Sequence, residues 1–220
     1  VLTTLPLFLQ KWLGKRGTLA AVGLMAISPV MMHRSRFLRH DPYAAVFNLV
    51  LFIAILRYLA RRRDRDLYMV AGALALGFAA KETSFITYFI FGTYLALVFL
   101  LRLFEERFRG WRTWASFDLL VTMGTLILPL ASPFAIKLLG GDPVAYSGDA
   151  LLFSGAVFLG VAALAVGIGL LWDRRRWPIC AGVFLAIFVP LFTTMFTNGQ
   201  GLATGMVGQL GYWLSQHGVA

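Results

Sequence analysis

The chain has 220 residues, of which 59% are hydrophobic and 14% are charged, and its formal net charge is +10. A soluble globular domain has about 45–50% apolar residues, so this composition indicates a membrane protein. The basic residues cluster at the ends of apolar segments, where membrane topology accounts for them, and we expect no nucleic-acid partner. The single cysteine, Cys180, excludes an intrachain disulfide.

Apolar segments that approach the length of a bilayer core recur along the whole chain, with short charged clusters between them. The pattern predicts an all-α, polytopic transmembrane helix bundle of about seven spans, which forms a single domain over residues 1–220. The predicted spans are 18–32, 42–60, 67–80, 84–103, 115–137, 151–172 and 178–197. We predict that the short segment 67–80 crosses as a short or buried helix. The apolar start and the abrupt end lead us to expect truncation at both ends.

Positive residues of short loops are retained on the cytoplasmic side of a membrane. With the cluster 11–16 in the cytoplasm, an alternating path through the spans places 15 of the 20 basic residues inside. The five on the other side are Arg34, Arg36, Arg39, Lys81 and Lys137. We therefore expect a multi-pass protein of the cell (plasma or inner) membrane, with the loop 33–41 on the extracytoplasmic face.

The loop 33–41 breaks this charge rule, because it holds three arginines and two histidines on the predicted outer face. A guanidinium group presents a planar fork of donors that matches phosphate. We interpret Arg36, Arg39 and His40 as ligands of a lipid phosphate or pyrophosphate. We interpret Arg34 differently, as a residue whose side chain extends to the lipid headgroups without binding a specific ligand.

Asp41 is the first acidic residue of the chain and precedes Pro42. Aspartate at the N-cap and proline at the first helical position are a favourable helix start. A carboxylate at this place would also suit acid–base chemistry, acceptor binding or metal binding. The structural and functional roles are compatible, and both stay open.

Lys81 and Glu82 form an adjacent charged pair between two apolar segments on the predicted outer side. Ionisable groups at such a depth usually face a cavity or a partner. We interpret Lys81 as a phosphate ligand and Glu82 as its partner or a metal ligand, the alternative being a simple interfacial turn. Glu82 and His217 are candidate ligands of a divalent metal, although His217 also fits an interfacial anchor beside Trp213.

Two segments, Ser28-Pro29 and residues 35–42, resemble the second outer loop of the GT-C class of membrane glycosyltransferases. The nearest branch is that of the dolichyl-phosphate-mannose protein mannosyltransferases and their prokaryotic relatives. Residues 77–83 and 197–217 are similar to a prokaryotic group described as flippase-activity-associated. The resemblance implies a GT-C-like bundle that transfers a sugar from a polyprenyl-phosphate donor on the extracytoplasmic face, with the donor and membrane lipids as partners.

The resemblance also implies roles for single residues. Arg36, Arg39 and Lys81 would contact the lipid phosphate, and Asp41 would match the second acidic residue of the family's catalytic site. The family's principal carboxylate lies in an earlier loop, and this chain has no acidic residue before Asp41. We therefore expect a fragment of a full-length hexosyltransferase that is inactive alone.

A non-enzymatic flippase, or a flippase-accessory protein that handles lipid-linked glycans, is the alternative function. Such a protein would keep the basic loop 33–41 for lipid phosphate but would need no carboxylate, so Asp41→Asn distinguishes the two functions. An ordinary transporter is disfavoured, because the sequence shows no paired broken helices and no inverted repeat.

Overall fold

A computed structural model describes residues 4–29, 41–81, 83–107, 110–145 and 148–216, which form helices joined by short turns. The α-helices are α1 (Thr4–Ile27), α2 (Asp41–Arg61), α3 (Asp64–Ala80), α4 (Ser84–Glu105), α5 (Ala115–Ile127), α6 (Ser132–Leu138), α7 (Gly148–Trp172), α8 (Arg176–Phe192), α9 (Gln200–Ala203) and α10 (Gln209–Gln216). Two short 3₁₀ turns, Trp111–Thr113 and Leu128–Ala131, precede α5 and α6, and a π-helical turn, Thr204–Gly208, joins α9 to α10.

The predicted all-α membrane bundle is confirmed. In the described part of the chain, four segments are long and apolar enough to cross a membrane: Pro42–Arg61, Ser84–Glu105, Ala115–Leu138 and Gly148–Trp172. Each coincides with a predicted span to within a few residues. The total of about seven spans stays a prediction, because the remaining helices are shorter or contain a kink.

Helix α3 forms the centre of the bundle. It packs between α2 and α8, and the side chains of Leu67, Val70 and Leu74 are fully buried. Protein rather than lipid therefore surrounds its backbone, and a helix in that position need not match the thickness of the hydrocarbon core. This burial agrees with the prediction of a short or buried helix at 67–80.

The charged cluster 11–16, predicted to precede the span 18–32, contains a break in α1. Two helical stretches meet there at Gly14, whose backbone (φ 66°, ψ 176°) is not helical and is readily reached by glycine. Beyond the kink, Val22 and Met25 pack against Ile53 of α2. The predicted span 18–32 extends past residue 29 and so lies partly outside the described residues.

Helix α8 ends at Phe192, five residues before the predicted end of that span. The chain then turns through Thr194, Met195 and Phe196, all with positive φ. Gly201 lies against the carbonyl oxygen of Phe192, where a side chain would not fit. The reversal brings α9 back against the end of α8.

The turns between the helices meet at two opposite ends of the bundle. At one end, Arg176 forms an ion pair with Asp64 at 3.1 Å; residues 57–66, 110–118 and 172–176 together are called the basic end. At the other end, the Lys137 ammonium group donates a hydrogen bond to the Leu214 carbonyl at 3.0 Å. These contacts agree with the alternating path, whereas the cellular face of each end stays a prediction.

Candidate functional site

The α2–α3 hairpin places Asp41 and Lys81 at the same end of the bundle. Its arms have 21 and 17 residues and are joined by the two-residue turn Arg62-Arg63. The difference in length is about one helical turn. The first residue of α2, Asp41, and the residue that follows α3, Lys81, therefore lie opposite the basic end. We call this the Lys81 end.

Lys81 directly follows the last residue of α3. Its backbone is extended, and the residue is half-buried. Its backbone N–H still donates to the carbonyl of Gly77 at 3.0 Å, and its own carbonyl accepts from the N–H of Ser84 at 3.1 Å. The Ser84 hydroxyl donates to the same Gly77 carbonyl at 2.9 Å. Hydrogen bonds from Lys81 and from Ser84 to the Gly77 carbonyl thus hold this turn against the last turn of α3.

Tyr88, one turn after Ser84 in α4, links α4 to α3. Its buried hydroxyl donates to the carbonyl of Leu74 at 3.0 Å. The ring passes so close to Gly77 that a Cβ at this position would collide with the hydroxyl. Glycine is therefore needed here for close helix contact rather than for backbone freedom. This contact gives a physical reason for Gly77 in the segment 77–83.

An aromatic groove lies beside the Lys81 turn. Its cavity volume is about 60 Å³, and it is lined almost entirely by apolar side chains. Phe78 and Thr83, which flank Lys81 in sequence, form one wall. Phe134 of α6 and Trp213 of α10 form part of the rest. The groove thus offers an apolar surface next to a basic residue.

The other residues of the predicted site lie outside the described residues: Arg36, Arg39, His40, Glu82 and His217. The backbone of Asp41 is described, but its side chain is not. The structure therefore brings Lys81 and the start of α2 to one end of the bundle and does not test the remaining assignments, which stay predictions.

A buried carboxylate at the basic end was missed by the sequence analysis. Asp118, in the first turn of α5, is 1% exposed. Its Oδ2 accepts hydrogen bonds from the Tyr58 hydroxyl at 2.7 Å and from Nε and Nη2 of Arg62 at 3.0 and 2.7 Å. Its Oδ1 accepts one from Nε1 of Trp172 at 3.1 Å. One carboxylate thus joins α2, α5 and α7.

The sequence held a signal for this residue, because Asp118 falls inside the predicted span 115–137. An ionisable residue within a span usually has a partner or a function. Both carboxylate oxygens are already occupied by protein donors, so the arrangement explains Asp118 as a structural link. Its partners come from distant parts of the chain, and no short sequence motif connects them.

Two charged groups in the turns of the basic end have shifted pKa values. Burial disfavours the charge on Arg62, but hydrogen bonding and charge attraction to Asp118 and Tyr58 together outweigh burial and raise the pKa of the guanidinium. Burial likewise opposes the charge on Asp173, whereas the backbone N–H groups of Arg176 and Arg175 donate to it and lower the pKa of the carboxyl. Both groups are therefore held in their charged forms.

The described residues contain no group of three or more histidine, cysteine, aspartate or glutamate side chains that is placed to hold a metal. The predicted metal ligands Glu82 and His217 lie outside that part of the chain. The divalent metal therefore stays a prediction.

A family model described as dolichyl-phosphate-mannose-protein mannosyltransferase matches residues 3–136. The match covers more than half of the chain, including α2, α3 and the Lys81 turn. The chain belongs to the dolichyl-phosphate-mannose-protein mannosyltransferase family. No curated protein and no solved structure gives a match.

Membership of the mannosyltransferase family confirms the family resemblance noted in the sequence. With the helical bundle, it identifies a multi-pass membrane protein of the mannosyltransferase type. The match includes the positions of Arg36, Arg39, Asp41 and Lys81 and ends within α6. Similarity of the tail 197–217 to the flippase-activity-associated group stays a prediction.

Proposed function

We propose that the chain carries the phosphate-binding part of a glycosyltransferase that takes mannose from a polyprenyl-phosphate donor on the extracytoplasmic face. The observation that carries the proposal is the position of Lys81 beside the aromatic groove, at the same end as the start of α2. A polyprenyl-phosphate sugar has an anionic head and a long apolar tail. The Lys81 end offers a basic group for the first and an apolar surface for the second.

In the proposed reaction, an acceptor hydroxyl oxygen attacks the anomeric carbon of the donor sugar and inverts its configuration. The bond from that carbon to the phosphate oxygen breaks, and the electron pair stays on the phosphate. Lys81, together with Arg36, Arg39 and His40, stabilises this leaving group. Asp41, as the second carboxylate of the site, assists removal of the acceptor proton. Glu82 and His217 are proposed as ligands of a divalent metal.

Donor binding is the primary test, because it reports on Lys81 without requiring turnover. The purified chain in detergent is titrated with a radiolabelled polyprenyl-phosphate mannose. We expect Lys81→Ala to weaken binding about tenfold, as expected for one charge-assisted contact to phosphate. Lys137→Ala is the matched control, because it removes a lysine from the same end. Equal losses for both variants would attribute binding to general charge and refute the assignment of Lys81.

Asp41→Asn tests the catalytic assignment. Asparagine caps a helix about as well as aspartate, so we expect the fold and donor binding to be unchanged. Mannose transfer from a polyprenyl-phosphate donor is the readout, and we expect it to fall at least about a hundredfold. Unchanged transfer would exclude Asp41 from the chemistry. If lipid transport survives Asp41→Asn and no form transfers sugar, the flippase alternative is correct.

A further inference from the structure

A second cavity lies at the basic end, opposite the Lys81 end. Its cavity volume is about 390 Å³, and it opens between α5, α7 and the adjoining turns. Three arginines and two tryptophans contribute to its lining: Arg62, Arg112, Arg176, Trp111 and Trp172. The carboxylates of Asp118 and Asp173 also line it, and both already accept hydrogen bonds from protein donors. Tryptophan is enriched where membrane helices meet the polar headgroups, and arginine is suited to phosphate. The lining therefore combines the groups expected around a lipid headgroup.

The arginines of this cavity keep donors for a ligand. The side chain of Arg62 is 39% exposed and directs only Nε and Nη2 to Asp118, whereas a guanidinium has five N–H donors. Arg176 pairs with Asp64 and Asp173 and remains 32% exposed.

Arg112 is exposed and lies over the Trp111 ring, with 5.2 Å from its guanidinium carbon to the ring centroid. Among the described residues, no carboxylate lies within ion-pair distance of it. Arg112 is thus the cavity's least neutralised cation.

The charge of the whole basic end also favours an anion. Residues 57–66, 110–118 and 172–176 contain nine arginines and four aspartates. Other arginines of this end, which include Arg61, Arg63 and Arg175, are exposed. An anion would therefore enter a region of positive potential.

Apolar side chains of two helices also line the cavity. They are Phe117 and Val121 of α5 and Ile168 and Leu171 of α7. Leu171 is 85% exposed, as expected for a side chain that faces lipid. A soluble anion would make no contact with these apolar side chains. A phospholipid, in contrast, has a phosphate that can bind the arginines and an acyl chain that can pack on the apolar residues.

We propose that an anionic phospholipid occupies this cavity, with its phosphate among Arg62, Arg112 and Arg176 and an acyl chain along α5 and α7. The site does not depend on the proposed sugar transfer, since it lies at the opposite end of the bundle. Basic pockets between membrane helices on the cytoplasmic side are suited to such headgroups, which agrees with the predicted orientation.

Native mass spectrometry of the 220-residue chain in detergent tests the proposal with phosphatidylglycerol and phosphatidylcholine at equal concentrations. We expect one phosphatidylglycerol to bind at least about tenfold more tightly than phosphatidylcholine. Arg112→Gln should weaken that binding about tenfold. Arg175→Gln is the control, because it removes an exposed charge from the same end without touching the cavity, and it should change the affinity less than about twofold. Thermal midpoints of both variants verify that they fold.

Three results would overturn the proposal. Equal binding of the two lipids would show that headgroup charge is not recognised. Equal weakening by Arg112→Gln and Arg175→Gln would show a diffuse charge effect rather than a site. Inorganic phosphate that raises the thermal midpoint as much as phosphatidylglycerol does would identify the ligand as a free anion.

Discussion

The replacement of Asp118 by asparagine should destabilise the bundle strongly, because it leaves the Arg62 guanidinium without its buried partner. Removing one member of a buried ion pair costs about 3–5 kcal/mol. The Arg62 side chain is 39% exposed, so solvent screens part of that cost, and asparagine keeps one acceptor oxygen. We therefore expect the unfolding free energy to fall by about 2–3 kcal/mol.

For a chain of this size, such a loss corresponds to a decrease of about 5–10 °C in the thermal midpoint. Membrane proteins in detergent often unfold irreversibly, so midpoints should be compared at one fixed scan rate. Tryptophan fluorescence is a suitable signal, because Trp172 donates directly to Asp118. Tyr58→Phe removes a single hydrogen bond and should lower the unfolding free energy by about 1–2 kcal/mol.

Asp142→Asn is the matched control. Asp142 is exposed and accepts one hydrogen bond, from the Val144 backbone N–H at 3.0 Å, which asparagine can also accept. We expect its unfolding free energy to change by less than about 0.5 kcal/mol. A midpoint of Asp118→Asn equal to that of the control would refute the structural role. A stable Asp118→Asn protein that has lost sugar transfer would instead indicate a functional carboxylate.

Three further variants or conditions follow from the same contacts. Gly77→Ala should lower the thermal midpoint by several degrees, because its Cβ collides with Tyr88; an unchanged midpoint would contradict this contact. Trp177→Phe should cost about 1 kcal/mol, since the indole N–H donates to the Thr125 hydroxyl at 2.9 Å, and a double variant with Thr125→Val should add little. The lowered pKa of Asp173 stabilises the fold above the ordinary carboxyl value of 3.8, and this contribution should be lost as pH falls through the lowered value. The wild-type midpoint should therefore decline more steeply below about pH 4 than that of Asp173→Asn, and parallel declines would contradict the shift.

Apolar run length predicted most of the fold, because the bilayer fixes the length of a spanning helix. The spans 42–60, 84–103 and 151–172 agree closely with α2, α4 and α7. The charged cluster 11–16 coincides with the break in α1 at Gly14, although helix continues on both sides of it. The pattern placed the end of α8 too late, because the turn at Phe192 depends on contact with Gly201.

The candidate site was less predictable than the fold. Lys81 was singled out by its depth between apolar segments, and the hairpin places it at the same end as Asp41. The aromatic groove could not be predicted, because Phe78 and Trp213 are far apart in sequence and meet only through packing. Asp118 shows the same limit, since its partner Tyr58 lies in another helix.

The α2–α3 hairpin must enter the bilayer as a unit during synthesis. Helix α3 is not among the four segments apolar enough to cross alone, and Asp66 near its start would be costly in hydrocarbon. Asp66 is fully buried against Arg57 of α2, with 2.9 Å between Nε and Oδ1, so each arm neutralises a charge of the other. The rest of α3 is covered mainly by α8, with smaller contacts from α4 and α5, and α8 is translated long afterwards. The insertion machinery would therefore have to keep α3 out of contact with lipid until the later helices have been synthesised and inserted.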